Sequence, residues 1–129
     1  MPVVFPDPLV EALDYLRPYA GLALPELPAK YDGSEVAVVV TDTGGAGVYD
    51  YVLEDVRLTV DAYSRNQADA SLTSREMYAL MRDWWTVSDS VYWRGTVSRP
   101  QWYPDGNWHR YTFTVALAFR GTETDILPV

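Results

Sequence analysis

Between Asp55 and Trp85 the hydrophobic pattern changes its period. Val56, Leu58, Val60 and Ala62 alternate with Arg57, Thr59, Asp61 and Tyr63, which predicts a strand with one buried face and one exposed face. Beyond it, Ala70, Thr73, Met77, Leu80, Met81 and Trp84 recur three and four apart, the spacing of one face of a helix of about four or five turns. Ser64 and Asn66 both suit the helix start, because a short polar side chain can accept from free N–H groups of the first turn. Successive helical residues are about 100° apart, so Trp84 and Trp85 cannot share a face. One is expected in the core and the other at the helix end or against a partner.

The same reading extends in both directions. Asp7-Pro8 opens a helix through Arg17 with Leu9, Leu13 and Leu16 on one side, limited by Pro18. Tyr19 to Ser34, with Gly21, Pro25, Pro28 and Gly33, reads as a surface connector. Glu35 to Thr41 is a β-branched run and hence a strand with little exposure on either face. Thr43 to Gly47 (TGGAG) reads as a flexible turn or loop, and VYDYVLED after it either extends the next strand or forms an arm.

Val87 to Val97 predicts a strand with Val91, Trp93 and Gly95 on one face and Tyr92, Arg94 and Thr96 on the other. Ser98 to His109 is a turn-rich connection carrying Asp105-Gly106. Arg110 to Arg120 is the most regular strand, with Tyr111, Phe113, Val115, Leu117 and Phe119 on one face, and it should pair with its predecessor as a long hairpin. The tail from Gly121 either docks on a neighbour or stays loose. The sum is one α+β domain over residues 1–129. It has a four-stranded, mostly antiparallel sheet, with an N-terminal helix and a longer helix packed on one face.

Charge and composition narrow what such a domain can do. The net charge of −8 disfavours gripping nucleic acid or anionic lipid, although an acidic wall lets a duplex slide past. The absence of cysteine excludes a disulfide scaffold and a thiolate metal site. The N-terminus lacks a basic region and a long apolar run, so no signal peptide is expected, and no window approaches a membrane span. A soluble protein made inside the cell is the expectation. Ten Tyr and five Trp against three Phe favour protein–protein contacts, since these rings combine apolar area with a polar tip.

Candidate chemistry is sparse. His109 is the only histidine and would have to serve any Ser-His-Asp arrangement, yet it sits beside Trp108 in a turn-rich loop. An oxygen-only cation site could draw only on Asp50, Glu54 and Asp55, without EF-hand spacing. The TGGAG glycines lack the GK[ST] or GxGxxG context of a phosphate loop. The pairs Asp61/Asp69 and Asp83/Asp89 carry no sign of a shared cleft. Catalytic, cofactor and metal residues are therefore assigned as none. The residues left as candidates are aromatic: Trp102, Tyr103 and Trp108 in the hairpin connection, Tyr49 and Tyr51 beyond the glycine loop, Tyr63 on the exposed strand face, and Trp85.

The segments FPDPLVEALDYLR, RLTVDAYS at the strand-to-helix junction, and YTFTVALAFRG, in this order, resemble the tail terminator (tail completion) proteins of long non-contractile-tailed phages, especially those infecting actinobacteria. The resemblance runs from about Phe5 to Gly121. It implies a non-enzymatic α+β virion subunit, assembled in the host cytoplasm, that forms a six-membered ring at the head-proximal end of the tail tube. Such a ring stops tube polymerisation and meets the head connector. Its expected partners are other copies of itself, the major tail tube protein and the connector or stopper protein, with DNA only as cargo in the lumen. A ring needs two different complementary patches per subunit, for which Gly44 to Tyr51 and Trp102 to Trp108 are the candidate loops. The alternatives are another head-to-tail joining protein, or a monomeric module stacking a planar ligand on Trp102, Tyr103 and Trp108.

Overall fold

The computed structural model describes all of residues 1–129. Its centre is the expected strand-to-helix unit, here β5 (Leu53–Ser64) and α2 (Gln67–Asp83). Asn66 caps α2, its Oδ1 accepting from the Asp69 N–H at 3.2 Å. Ser64 acts one step earlier, accepting from the Asn66 N–H at 3.0 Å. The chain thus turns from strand to helix with its first free N–H groups satisfied. At the N-terminus, Asp7 caps α1 (Pro8–Leu16) by accepting from the N–H groups of Leu9 and Val10.

The sheet has six strands, not four. Its order is β2 (Leu22–Leu24), β3 (Ala37–Asp42), β5, β7 (His109–Arg120) and β6 (Val91–Trp102), with β4 (Gly47–Asp50) also on β5. Only β2 and β3 run parallel. A further ribbon pairs β1 (Val3–Val4) with β8 (Thr122–Glu123), so the first part of the tail docks on its own chain.

Within the segment Gly44 to Tyr51, Gly47–Asp50 forms strand β4, and the stretch before it lacks regular structure. β3 and β4 are successive parts of one strand-like run along β5, joined by a bulge in which the Thr43 N–H donates to Arg57 O and the Arg57 N–H to Gly44 O. Gly45 makes this approach possible. With φ of +122°, a Cβ there would stand 2.5 Å from Asp55 O, so only glycine fits. Asp50 pairs with Leu53, and Tyr51 and Val52 form the tip of the long hairpin.

Register decides the two faces. Val56 pairs with Leu117, Leu58 with Val115 and Val60 with Phe113, and all six side chains are buried under the helices. Met77 and Met81 of α2 and Leu13 and Leu16 of α1 complete this core. Each fully buried large side chain contributes about 1.5–3 kcal/mol of transfer free energy. An aromatic line ties the layers together. Trp84 stacks on Tyr15 at 4.9 Å and meets Phe119 edge-on at 5.5 Å, while the Tyr15 hydroxyl donates to Leu80 O at 2.7 Å. Trp84 is therefore the core member of the tryptophan pair, and Trp85 is exposed.

The alternation expected for β6 fails at Arg94, where a bulge follows Trp93 and puts Gly95 opposite Ala116. Gly95 therefore shares a face with Tyr92, and Thr96 turns to the helix side. There its hydroxyl meets the Tyr78 hydroxyl at 2.6 Å. An inserted residue reverses the side chains up to the next irregularity, and β6 has two more, between Thr96 and Ser98 and between Ser98 and Gln101, which a strict period of two cannot anticipate.

Candidate interaction surfaces

The second sheet face carries no helix. It presents Arg57, Thr59 and Asp61 of β5 beside Ala116, Thr114 and Thr112 of β7. The Thr59 and Thr114 hydroxyls form a hydrogen bond at 2.7 Å, so the middle of this face is small, polar and internally satisfied. Its two ends are built differently, because the loops that reach them differ.

At the end near β5's C-terminus, the Tyr19–Ser34 connector folds back over the sheet. Ala37, Val39 and Tyr63 form a second small core, covered by Leu22, Leu27, Tyr31 and Trp108. The Tyr31 hydroxyl lies 2.5 Å from Glu35 O and 2.9 Å from Tyr63 O, pinning the connector to both strands. Trp108 meets Tyr31 edge-on at 5.1 Å and rests against Gly33, where a Cβ would stand 2.5 Å from the indole. Two sequence expectations are corrected here. Tyr63 is only 6% exposed, and Trp108 is partly buried, packed inward onto the connector. The local pattern leaves both on free surface, whereas the connector supplies the apolar lid that covers them.

Trp102 and Tyr103 stay outside, 49% and 62% exposed. Both are nonetheless held in place. The Trp102 indole donates to His109 Nδ1 at 3.2 Å, and Arg110 Nε donates to Tyr103 O at 2.8 Å. The Arg110 guanidinium also stacks over the Tyr103 ring at 5.1 Å. His109 is thus engaged by an indole and not by a hydroxyl and carboxylate in series. Nearby, burial raises the Asp61 carboxyl above the usual range, partly offset by the Thr112 hydroxyl and the Arg110 charge. A cleft of about 350 Å³ borders Trp102, lined also by Arg75, Arg99 and Tyr111, but Tyr103 and Trp108 do not reach it.

At the opposite end stand Tyr49, Tyr51 and Trp85, all exposed. Tyr51 occupies the hairpin tip, its hydroxyl donating to Met1 O at 3.2 Å. Trp85 projects from the short 3-10 turn (Trp84–Thr86) that ends α2, held by its neighbour's burial in the core. Tyr49 lies under the Arg94 guanidinium, 4.6 Å from its ring centroid. That contact links the two outer strands β4 and β6 across β5 and β7, and Ala118 on the same face is fully buried. Neither Arg94 nor Tyr92 stood out in the sequence.

The chain matches no family model and no characterised protein sequence. Its surfaces must therefore be read from their own geometry. Asp50, Glu54 and Asp55 do not converge, since no three His, Asp or Glu side chains come together as a metal-holding group. No helix is long and apolar enough to cross a membrane. What the molecule offers is exposed aromatics at opposite ends of one sheet: Tyr49, Tyr51, Trp85 and Tyr92 at one and Trp102 and Tyr103 at the other, with Tyr19 exposed beside α2.

Proposed function

We propose that this chain is a structural, ring-forming subunit of the tail-terminator type, capping the head-proximal end of a phage tail tube and joining it to the head connector. The observation that carries this reading is the separation of exposed aromatics into two unlike groups at opposite ends of the sheet. A closed ring of identical subunits needs two different patches on each subunit, and large amphipathic rings are the usual anchors of such patches. The resemblance of the three sequence segments supplies the family. The acidic balance suits a lumen through which DNA passes without being gripped. The subunit's partners are then its own copies, the tail tube protein and the connector or stopper protein, and its place is the virion.

The stacking-module alternative is weaker, because Trp108 is packed against Tyr31 and leaves only two rings on that loop. Assembly tests the proposal directly. Purified protein mixed with tail tubes is expected to form rings seen end-on by electron microscopy, and to stop tube elongation. Replacing Trp102 and Tyr103 by Ala should impair this while leaving the far-UV circular dichroism spectrum unchanged. A protein that stays a single subunit in native mass measurement, and leaves growing tubes uncapped, would sink the reading.

A further inference from the structure

Basic side chains are scarce in this chain, yet two of them share one cleft. The space between the first half of α2 and β6 is lined by Arg75 and Arg99 with Ser71, Pro100, Trp102 and Tyr111, and by no carboxylate. The chain's ion pairs are Arg17–Asp14 and Arg110–Asp105, so neither cleft arginine is neutralised within its own subunit. Two free guanidiniums beside an indole and a phenol suit a segment that is acidic and then apolar.

The chain carries one such segment. From the last residue of β8 it reads Glu123-Thr124-Asp125-Ile126-Leu127, with both carboxylate residues exposed and Ile126 and Leu127 61% and 75% exposed. This segment leaves from the end of the sheet near Arg120, whereas the cleft lies at the end near Tyr111. The run of β7 between those two residues spans about 30 Å at the rise of a strand. From Thr124 to Leu127 an extended chain covers only about 11 Å. The segment therefore cannot fill the cleft of its own subunit.

We propose that Glu123–Leu127 of one copy seats in the Arg75–Arg99–Trp102 cleft of a second copy. The carboxylates meet the two guanidiniums, and Ile126 and Leu127 cover the Trp102 and Tyr111 rings. The contact joins one end of a subunit to the other end of the next, so it is heterologous and propagates around a ring. This inference rests on the self-association proposed above and names the contact responsible for it.

The absence of native cysteine makes disulfide trapping a clean test. Gln101 also lines the cleft. Mixing the Leu127→Cys and Gln101→Cys variants under mild oxidation should give a mixed dimer well above the yield of either variant alone. The double variant should give a ladder whose longest rung is the ring size. Arg75→Glu with Arg99→Glu should lower the trapped yield at least about tenfold by replacing attraction with repulsion. Adding Glu123→Arg and Asp125→Arg should restore it. If native protein assembles while the cysteine pair stays silent and charge reversal changes nothing, the contact is wrong and the ring reading stands. If native protein remains a single subunit with and without tail tubes, both fall.

Discussion

Trp108 and Trp102 sit six residues apart on the same connection, and the structure assigns them opposite consequences. Trp108 buries most of its surface against Tyr31, Gly33 and the second small core, whereas about half of Trp102 faces solvent. A tryptophan buries on the order of 150–250 Å², worth about 25 cal/mol per Å², and its edge-on contact with Tyr31 adds about 0.5–1.5 kcal/mol. After discounting for its remaining exposure and for a compact unfolded chain, Trp108→Ala should cost about 2–3 kcal/mol. Trp102→Ala should cost under about 1 kcal/mol. Urea unfolding followed by far-UV circular dichroism avoids the change in fluorescence that either substitution brings. With a slope of about 1.5 kcal/mol/M, Trp108→Ala should lower the midpoint by about 1.3–2 M with the slope unchanged. If Trp102→Ala proved the more damaging, or Trp108→Ala shifted the midpoint by less than about 0.5 M, the assignment of the inner and outer ring would be refuted.

Gly45 and Gly47 both have positive φ, but only Gly45 lies against backbone, so Gly45→Ala should destabilise by about 1–3 kcal/mol more than Gly47→Ala. Equal thermal midpoints for the two variants would contradict the close approach. Asp61 gives a pH-dependent case. Its folded-state pKa is raised by burial, so the folded chain holds that proton to higher pH than the unfolded chain does. Stability from this group therefore falls as pH rises from the ordinary carboxylate range through the raised value. Asp61→Asn removes that titration, and its stability relative to the native chain should improve as pH rises through and above the ordinary carboxylate range. A difference that stays flat across that range would mean the carboxyl is not desolvated.

Much of the architecture was legible in the sequence because period and burial coincide there. The strand-to-helix switch at Ser64–Asn66, the alternation of Arg110–Arg120 and the inward Trp84 all follow from local spacing. β2 was not legible, since three residues inside a Pro/Gly-rich connector carry no period, and it is a strand only because β3 offers an edge. β6 was misread past Arg94, where one inserted residue reverses the alternation. The exposed candidates split for a physical reason. Tyr51, Trp85 and Tyr103 lie at a hairpin tip, a helix end and a turn, while Tyr49 and Trp102 lie on the outer strands, where only single side chains reach them. Tyr63 and Trp108 look equally free in sequence but are met by Leu27 and Tyr31 of the connector, a long-range contact that no local pattern records.

The β1–β8 ribbon joins residues from opposite ends of the chain, Val3 with Glu123 and Val4 with Thr122. During synthesis β1 emerges first and must wait for almost every other element before its partner exists. The long hairpin, α2 and the β6–β7 hairpin, built from nearer neighbours, can form ahead of it, since closing a longer loop costs more entropy. The ribbon is short and exposed, so it belongs among the units that open and reclose without global unfolding. The segment that follows it is then tethered by the last and least durable piece of the fold. A newly made subunit could hold its body rigid while that tether still searches for its place.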